Sequence, residues 1–236
     1  MTRQPKKRRK APEATPDDAF IARILAVSVW AKRHARPLMT GGIIFAVLLA
    51  AGLYYRHSQR LFETHAVSRL MEVEQAIATG NIPLAIRDLE QYLQQFGGTK
   101  PASQARVSLG KLYLKDDEPD KAIEVLSPLA ERRRDPMATS AAFLLAAAYE
   151  EKDQVDEAED VYLIIADQAR FKSDRRRALD EAGRIRMDQA DARTAVTYFE
   201  RALDMTPDDS GDYQFFIMRL AEARAMAAAQ GHRTRN

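Results

Sequence analysis

The stretch LGKLYLKDDEPDKAIEVL at residues 109–126 determines the fold class of this chain. Gly110 lies in a first apolar segment, a polar turn follows, and Ala122 lies in a second apolar segment. Leu126 and Leu129 follow Ala122 at i+4 and i+7, which is one face of a helix. Antiparallel helices approach closely where a small residue faces the partner helix and large side chains fill the surrounding space. The stretch therefore predicts a helical hairpin.

The same pattern recurs along the chain at intervals of 36 or 37 residues. A turn followed by a small residue occurs four times, and the small residues are Ala85, Ala122, Ala158 and Ala195. Large apolar residues follow them at i+4, namely Leu89, Leu126, Tyr162 and Phe199. Before three of these turns lies a pair of residues that ends in glycine or alanine: Leu109-Gly110, Leu145-Ala146 and Ala182-Gly183. A tyrosine follows the first two pairs, at positions 113 and 149, and Arg186 replaces it after the third. One hairpin cannot bury its apolar face alone, so the hairpins are expected to stack.

This series of residues resembles the tetratricopeptide repeat over about residues 66–208. The resemblance implies an all-α solenoid of about four helical hairpins. A last helix, predicted at residues 212–230, would form a C-terminal cap, packed through Phe215, Phe216, Met218 and Leu220. The alternative is a generic helical bundle whose alanines align by chance.

Residues 38–55, LMTGGIIFAVLLAAGLYY, contain no charged side chain. As a helix they would rise about 27 Å, close to the thickness of the hydrocarbon core of a bilayer. Tyr54 and Tyr55 at one end are typical of a membrane interface. The segment predicts a single transmembrane helix. A buried core helix and a cleaved signal peptide are the alternatives, and the run through Leu53 favours an uncleaved anchor.

The formal charge of +2 hides an uneven distribution. Residues 1–37 hold 10 Lys/Arg and three acids, whereas residues 56–236 hold 26 basic and 31 acidic side chains, a charge of −5. The basic end predicts an N-terminus in the cytoplasm and a C-terminal domain outside it.

Two segments precede the predicted span. Residues 1–16 include the cluster KKRRK and predict a disordered, cytoplasmic tail. A nuclear localisation signal or a nucleic-acid patch is the alternative, but no aromatic residues interleave with the cations, so no nucleic-acid partner is expected. Residues 17–36 predict an amphipathic juxtamembrane helix, lying on lipid or docked on a membrane partner.

The sequence offers no catalytic chemistry. It lacks cysteine and has four scattered histidines, so no metal site is expected. It contains no P-loop, HExxH or GxSxG motif. We therefore expect no enzymatic activity and no cofactor, and predict that the repeat domain, residues 56–236, acts through its surface.

The candidate protein-binding surface is the concave face that the first helices of stacked hairpins form. The repeat register places on it Val107, Lys111, Leu114, Phe143, Ala147, Arg184 and Met187. This set does not match the Lys/Asn clamp for a C-terminal carboxylate. The alternative is that these side chains pack against the cap helix or the next unit.

The order of parts is similar to the YfgM-like family, the ancillary subunit of the bacterial Sec translocon. The parts are Asp17-Asp18-Ala-Phe20, Trp30 before basic residues, a Gly-containing span, and Tyr-Tyr-Arg56 leading into repeats. The resemblance implies a single-pass protein of the bacterial inner membrane whose periplasmic domain acts as an adaptor or chaperone for emerging exported proteins beside the Sec translocon. The partners it implies are Sec translocon subunits, a membrane-anchored periplasmic prolyl-isomerase-type chaperone, unfolded exported polypeptides and the lipid bilayer. A tethered scaffold that organises envelope or cell-division machinery without handling clients is the alternative.

Overall fold

The computed structural model describes residues 35–78 and 80–233. The predicted basic tail and almost all of the predicted amphipathic helix lie outside these residues. The described residues form helices and no strand, which confirms the all-α prediction. The helices are α1 (Ala35–Ile77), α2 (Ile82–Phe96), α3 (Ala102–Lys115), α4 (Pro119–Ala130), α5 (Ala138–Glu151), α6 (Val155–Gln168), α7 (Lys172–Asp188), α8 (Ala192–Asp204) and α9 (Gly211–Arg233).

The chain divides into two compact units, Met1–Leu61 and Phe62–Asn236. In the first unit, the described residues belong to α1, and its apolar side chains are exposed, Phe45 by 68% and Leu48 by 66%. Among the described helices, α1 is long and apolar enough to cross a membrane, and its most apolar part is not buried at all. That exposure does not fit the alternative of a buried core helix, because a core helix hides its apolar side chains.

The second unit consists of helical hairpins. The last turns of α1 form the first hairpin with α2, since Leu70 and Val73 share a buried cluster with Leu89 and the rings of Phe62 and Phe96 lie 5.1 Å apart. Three more hairpins follow: α3/α4, α5/α6 and α7/α8. From α2 onward each helix packs against the next, and α3 also packs against α5, the first helix of the following hairpin. Four hairpins closed by α9 confirm the predicted solenoid. The repeat domain predicted from the sequence starts at residue 56, and the compact unit begins at Phe62.

The repeat residues form the core of this unit. The four alanines of the second helices are at most 2% exposed, and the large side chains that follow them are at most 4% exposed. Gly183 explains why a small residue is needed, because a Cβ there would lie 2.4 Å from the ring of Phe199. Gly110 has the same relation to Leu126, at 2.6 Å. Both glycines allow the two helices of a hairpin to make close contact.

The turn within each hairpin has a common geometry. Gly80, Asp117, Asp153 and Ala190 each precede the repeat alanine by five residues, and each has a positive φ, between 56° and 84°. The amide of the residue after Asp117 donates to Tyr113 O at 2.9 Å, and the amide after Ala190 donates to Arg186 O at 2.7 Å. A left-handed residue with this hydrogen bond is the Schellman motif, which ends a helix sharply. Each turn therefore reverses the direction of the chain, so that the second helix of a hairpin runs back along the first.

The C-terminal helix α9 closes the stack and packs on the last hairpin. Phe216 and Leu220 are buried, as the sequence predicted. The helix packs on the domain as predicted, but Phe215 and Met218 are 42% and 63% exposed and contribute less to this packing than the sequence indicated. The cause is position on the helix, because only one face of α9 meets α8.

Candidate protein-binding surface

The seven predicted binding residues all lie on the first helices of hairpins. Val107, Lys111 and Leu114 share one face of α3 at i, i+4 and i+7. Phe143 and Ala147 lie on α5, and the remaining two lie on α7. Because α3 packs directly on α5, the structure brings the first five residues onto neighbouring helices.

Several of these side chains also support the core. Val107 and Leu114 pack against the first apolar cluster, and Phe143 packs against the second with its ring 6.1 Å from that of Tyr162. Met187 packs against a third cluster that contains Phe199. The set is half-buried apart from Lys111, which is exposed. Only part of each side chain therefore remains available to a ligand.

Arg184 is held by an ion-pair network between hairpins. Its guanidinium contacts Glu150 of α5 at 2.5 Å, and Glu181 and Asp188 of its own helix at 3.0 and 3.4 Å. Tyr162 donates to the other oxygen of Glu150 at 2.8 Å. Burial lowers the pKa of Arg184, but the hydrogen bonds to Glu150 and Glu181 outweigh burial and raise it. Arg184 is therefore a link between α5 and α7, with its charge already compensated.

Arg186 also joins neighbouring hairpins. It stands at the repeat's tyrosine position and binds Glu159 of α6 through two nitrogens, with Nε to Oε1 at 2.8 Å. Glu159 is 3% exposed and also accepts a hydrogen bond from Tyr198 at 2.7 Å. Removing one partner of a buried ion pair leaves the other charge uncompensated, which is strongly destabilising. The departure from the repeat pattern thus has a structural role.

A groove between α5 and α7 was not predicted from the sequence. Its volume is about 790 Å³, and the loops before the two helices contribute to its walls. Four arginines, two aspartates and two phenylalanines are among its lining residues: Arg133, Arg134, Arg170, Arg177, Asp135, Asp174, Phe143 and Phe171. The runs Arg132–Arg134 and Arg175–Arg177 were the signal in the sequence. We name this surface the arginine groove.

The arginines of the groove contact aromatic rings. The guanidinium of Arg177 lies 4.4 Å from the ring centre of Phe143, and that of Arg170 lies 5.4 Å from Phe171. Phe171 is 59% exposed. Within residues 35–78 and 80–233, none of the groove's four arginines forms an ion pair. The groove therefore presents cations whose charge the described residues do not neutralise by direct pairing.

A second cavity of about 580 Å³ is lined mainly by residues of α2, α3 and α4. Its polar side chains differ from those of the arginine groove in the contacts they make. Tyr113 donates to Glu90 at 2.5 Å, and Lys121 lies 5.5 Å from the tyrosine ring. Lys121 also pairs with Glu118 at 2.5 Å. Most polar groups here already have partners, so the arginine groove is the better candidate for a charged ligand.

The described residues contain no cluster of three or more histidine or acidic side chains that could hold a metal ion. The site offers cations, aromatic rings and half-buried apolar side chains. Such groups form contacts with polypeptide segments.

Among protein families, the tetratricopeptide repeat-like domain matches residues 29–224 of this chain. This range is more than four fifths of the chain. The chain belongs to this tetratricopeptide repeat-like family. No curated protein sequence matches it.

Two solved structures of one protein agree with the tetratricopeptide-like fold. A Podosopora anserina protein described as a kinesin light chain with nearly identical TPR-like repeats is 18% identical, with a TM-score of 0.56. The match covers 72% of this chain and 90% of that chain, and a single-residue variant of the same protein gives the same values. MamA is 16% identical with a TM-score of 0.46, over 68% of this chain and 96% of that chain. A tetratricopeptide-like fold is typically a protein-interaction scaffold rather than a catalyst.

Proposed function

We propose that this chain is a membrane-anchored adaptor whose repeat domain binds polypeptide segments beside the Sec translocon of the bacterial inner membrane. The observation that supports this most is the extent of the family match. It begins at residue 29, before the apolar part of α1, and continues through the repeats to residue 224. An apolar helix of membrane-spanning length therefore belongs to the same family unit as the interaction domain.

The anchor would hold the repeats close to the membrane. With the N-terminus in the cytoplasm, as the charge distribution indicates, the repeat domain lies in the periplasm. There it would meet exported polypeptides as they emerge unfolded, together with a membrane-anchored chaperone of the prolyl-isomerase type. The half-buried apolar side chains of the first helices, among them Val107 and Met187, suit such segments because they offer apolar contact without a deep pocket.

Affinity purification of the tagged full chain from detergent-solubilised membranes tests the proposed partners. We expect translocon subunits and a periplasmic prolyl isomerase to co-purify. Recovery of only peptidoglycan or outer-membrane machinery would overturn the proposal and indicate a scaffold for envelope or cell-division complexes. Alkaline phosphatase fused at the C-terminus should be active, and an inactive fusion that is stably produced would contradict the topology.

A photo-crosslinking residue placed at Val107 or Met187 tests the proposed surface. We expect crosslinks to polypeptides arrested during export. The matched control is Thr197, an exposed position on the second helix α8. Equal crosslinking from the control position would contradict a specific role for the first helices.

A further inference from the structure

We propose that the arginine groove binds a short acidic polypeptide segment that carries an aromatic or other large apolar side chain. This rests on the proposed function, because it names the kind of polypeptide that the repeat domain takes. The binding depends on the groove's charge, its rings and the charge of the rest of the domain.

The charge of the groove favours carboxylates. Four arginines and two aspartates line it, a formal charge of +2. The carboxylate of Asp135 is already occupied, since one oxygen accepts from Ser103 at 2.5 Å and the other from the amide of Met137 at 2.9 Å. Asp174 lies in the first turn of α7, where the helix dipole stabilises its charge. The four guanidiniums are therefore the groups left to bind a ligand.

The rings prepare two of these guanidiniums for binding. A guanidinium that lies over an aromatic face still has N–H groups pointing outward in its own plane. Those groups can take a carboxylate with two parallel hydrogen bonds. Arg177 over Phe143 and Arg170 over Phe171 have this arrangement, and the contact with the ring restricts the long side chain before a ligand arrives. Less conformational entropy is then lost on binding.

The exposed ring of Phe171 explains the apolar part of the ligand. Phe171 lines the groove together with Phe143 and Leu144, and the residue is 59% exposed. A large apolar side chain of the ligand would cover this ring while neighbouring carboxylates bind the arginines. The volume of about 790 Å³ falls within the usual range for clefts that enclose ligands.

The charge outside the groove favours a short segment over an extended polyanion. Residues 56–236 carry 31 acidic and 26 basic side chains. A nucleic acid or an anionic membrane surface extends well beyond the groove and would be repelled by this excess of acids. A segment of a few residues contacts only the groove.

The test uses the full chain in nanodiscs of zwitterionic lipid and two fluorescein-labelled peptides. One peptide of about ten residues contains several glutamates around a central phenylalanine, and the other has glutamine in place of each glutamate. We expect binding of the first peptide by fluorescence anisotropy, at least about tenfold weaker binding of the second, and a loss of affinity when the salt concentration rises from about 50 to about 300 mM.

Variants locate the binding site. Arg133 and Arg134 are exposed and unpaired among the described residues, so R133E/R134E should fold, and we expect it to weaken binding at least about tenfold. Phe171→Ala should weaken binding several-fold without changing the charge. The matched control R87E/R193E makes the same charge change at exposed positions outside the groove and should alter affinity less than about twofold. Circular dichroism verifies the helical content of each variant.

Three outcomes would overturn the proposal. The first is equal binding of both peptides, and the second is an unchanged affinity of R133E/R134E for the acidic peptide. The third is a chain that binds neither peptide but sediments with phosphatidylglycerol vesicles in a way that requires these arginines. The last outcome would indicate a membrane site. Co-purification with the translocon is measured separately, so its absence contradicts the proposed function while the peptide titration stands. Absence of peptide binding contradicts the ligand proposed for the arginine groove and leaves the proposed function standing.

Discussion

At the scale of single residues, the contact between Gly183 and Phe199 determines how close α7 and α8 lie. A Cβ at Gly183 would approach two ring atoms of Phe199 at 2.4 and 2.6 Å. Phe199 is 1% exposed, so its ring lies inside the core and cannot turn away into solvent. We expect Gly183→Ala to destabilise the domain by about 1–3 kcal/mol, the usual cost of overpacking a core. Thermal unfolding of the full chain in mild detergent measures this loss.

The matched control is Gly211→Ala at the start of α9, where an added Cβ meets no atom within 4 Å. In open helical positions alanine is the better helix former, by about 1 kcal/mol at most. Gly211→Ala should therefore leave the melting temperature unchanged or raise it. A stabilising Gly183→Ala would show that the helices separate easily and would contradict the close contact.

Small residues at these positions could be predicted from the sequence, because the period of the pattern places them. The ion-pair partner of Arg186 could not be predicted from the sequence. The sequence shows an arginine where two other units have tyrosine, but Glu159 lies 27 residues away on another helix. Nothing in the local sequence pattern indicates that Glu159 forms an ion pair with Arg186. Long-range pairs of charges depend on how the hairpins stack, which a repeat pattern gives only approximately.

At the scale of elements, each hairpin depends on a turn residue with left-handed backbone. Ala190 has φ of 59°, a conformation that costs a residue with a Cβ about 1–2 kcal/mol. Glycine adopts it freely but loses more entropy on folding. We therefore expect Ala190→Gly to stabilise the domain by about 0.5–1 kcal/mol, measured as a rise in melting temperature of the full chain.

The control for this prediction makes the same substitution inside a helix. Ala221 is exposed on α9, and Ala221→Gly should destabilise by about 1 kcal/mol. Opposite signs for the two substitutions would support the turn geometry. A loss of stability in Ala190→Gly equal to that in Ala221→Gly would contradict it.

The sequence predicted these hairpins and their order, because the alanines and large apolar residues have a fixed register. It did not predict the arginine groove. The repeat pattern assigns binding positions to first helices, whereas Arg133, Arg134 and Arg170 come from the loops between hairpins. Loop conformation follows from contacts at both ends of the loop rather than from a period. The spacing of 36 or 37 residues predicts where each hairpin recurs but not the direction of the loops between hairpins.

At the scale of the whole molecule, charge is distributed by segment as well as by side-chain pair. The formal charge of +2 combines a basic N-terminal segment with a C-terminal domain of charge −5. Within that acidic domain many described cations form ion pairs, such as Arg184 with Glu150 and Arg219 with Asp180, whereas the four arginines of the groove do not. Because exposed charges interact weakly beyond a Debye length, a local cationic groove can coexist with an acidic domain.

Tyrosine–carboxylate hydrogen bonds recur along the solenoid. Because the tyrosines titrate at high pH, these bonds make the stability of the domain decrease in the alkaline range. Tyr113 donates to Glu90 on the preceding hairpin, and burial and this bond raise its pKa. The pKa of Tyr198 rises to about 12 through burial and its bond to Glu159. The pKa of Tyr162 is raised in the same way, by burial and its bond to Glu150.

These shifts give a defined window. A tyrosine whose pKa is higher in the folded than in the unfolded state keeps its proton longer when folded. Its contribution to stability is complete below the unfolded value near 10 and is lost as the pH rises from there through the folded value. We expect the melting temperature of the full chain to be insensitive to these tyrosines between about pH 7 and 9, and to fall between about pH 10 and 12.

The control is the variant Y113F/Y162F/Y198F, which keeps the rings and removes the titrating hydroxyls. Its melting temperature at about pH 8 should be lower, because the carboxylates lose a hydrogen-bond donor. Its further decrease between about pH 10 and 12 should be smaller than that of the unmodified chain, since these groups no longer release a proton on unfolding. An equal decrease in both proteins would show that other groups control alkaline unfolding and would contradict this role of the three tyrosines.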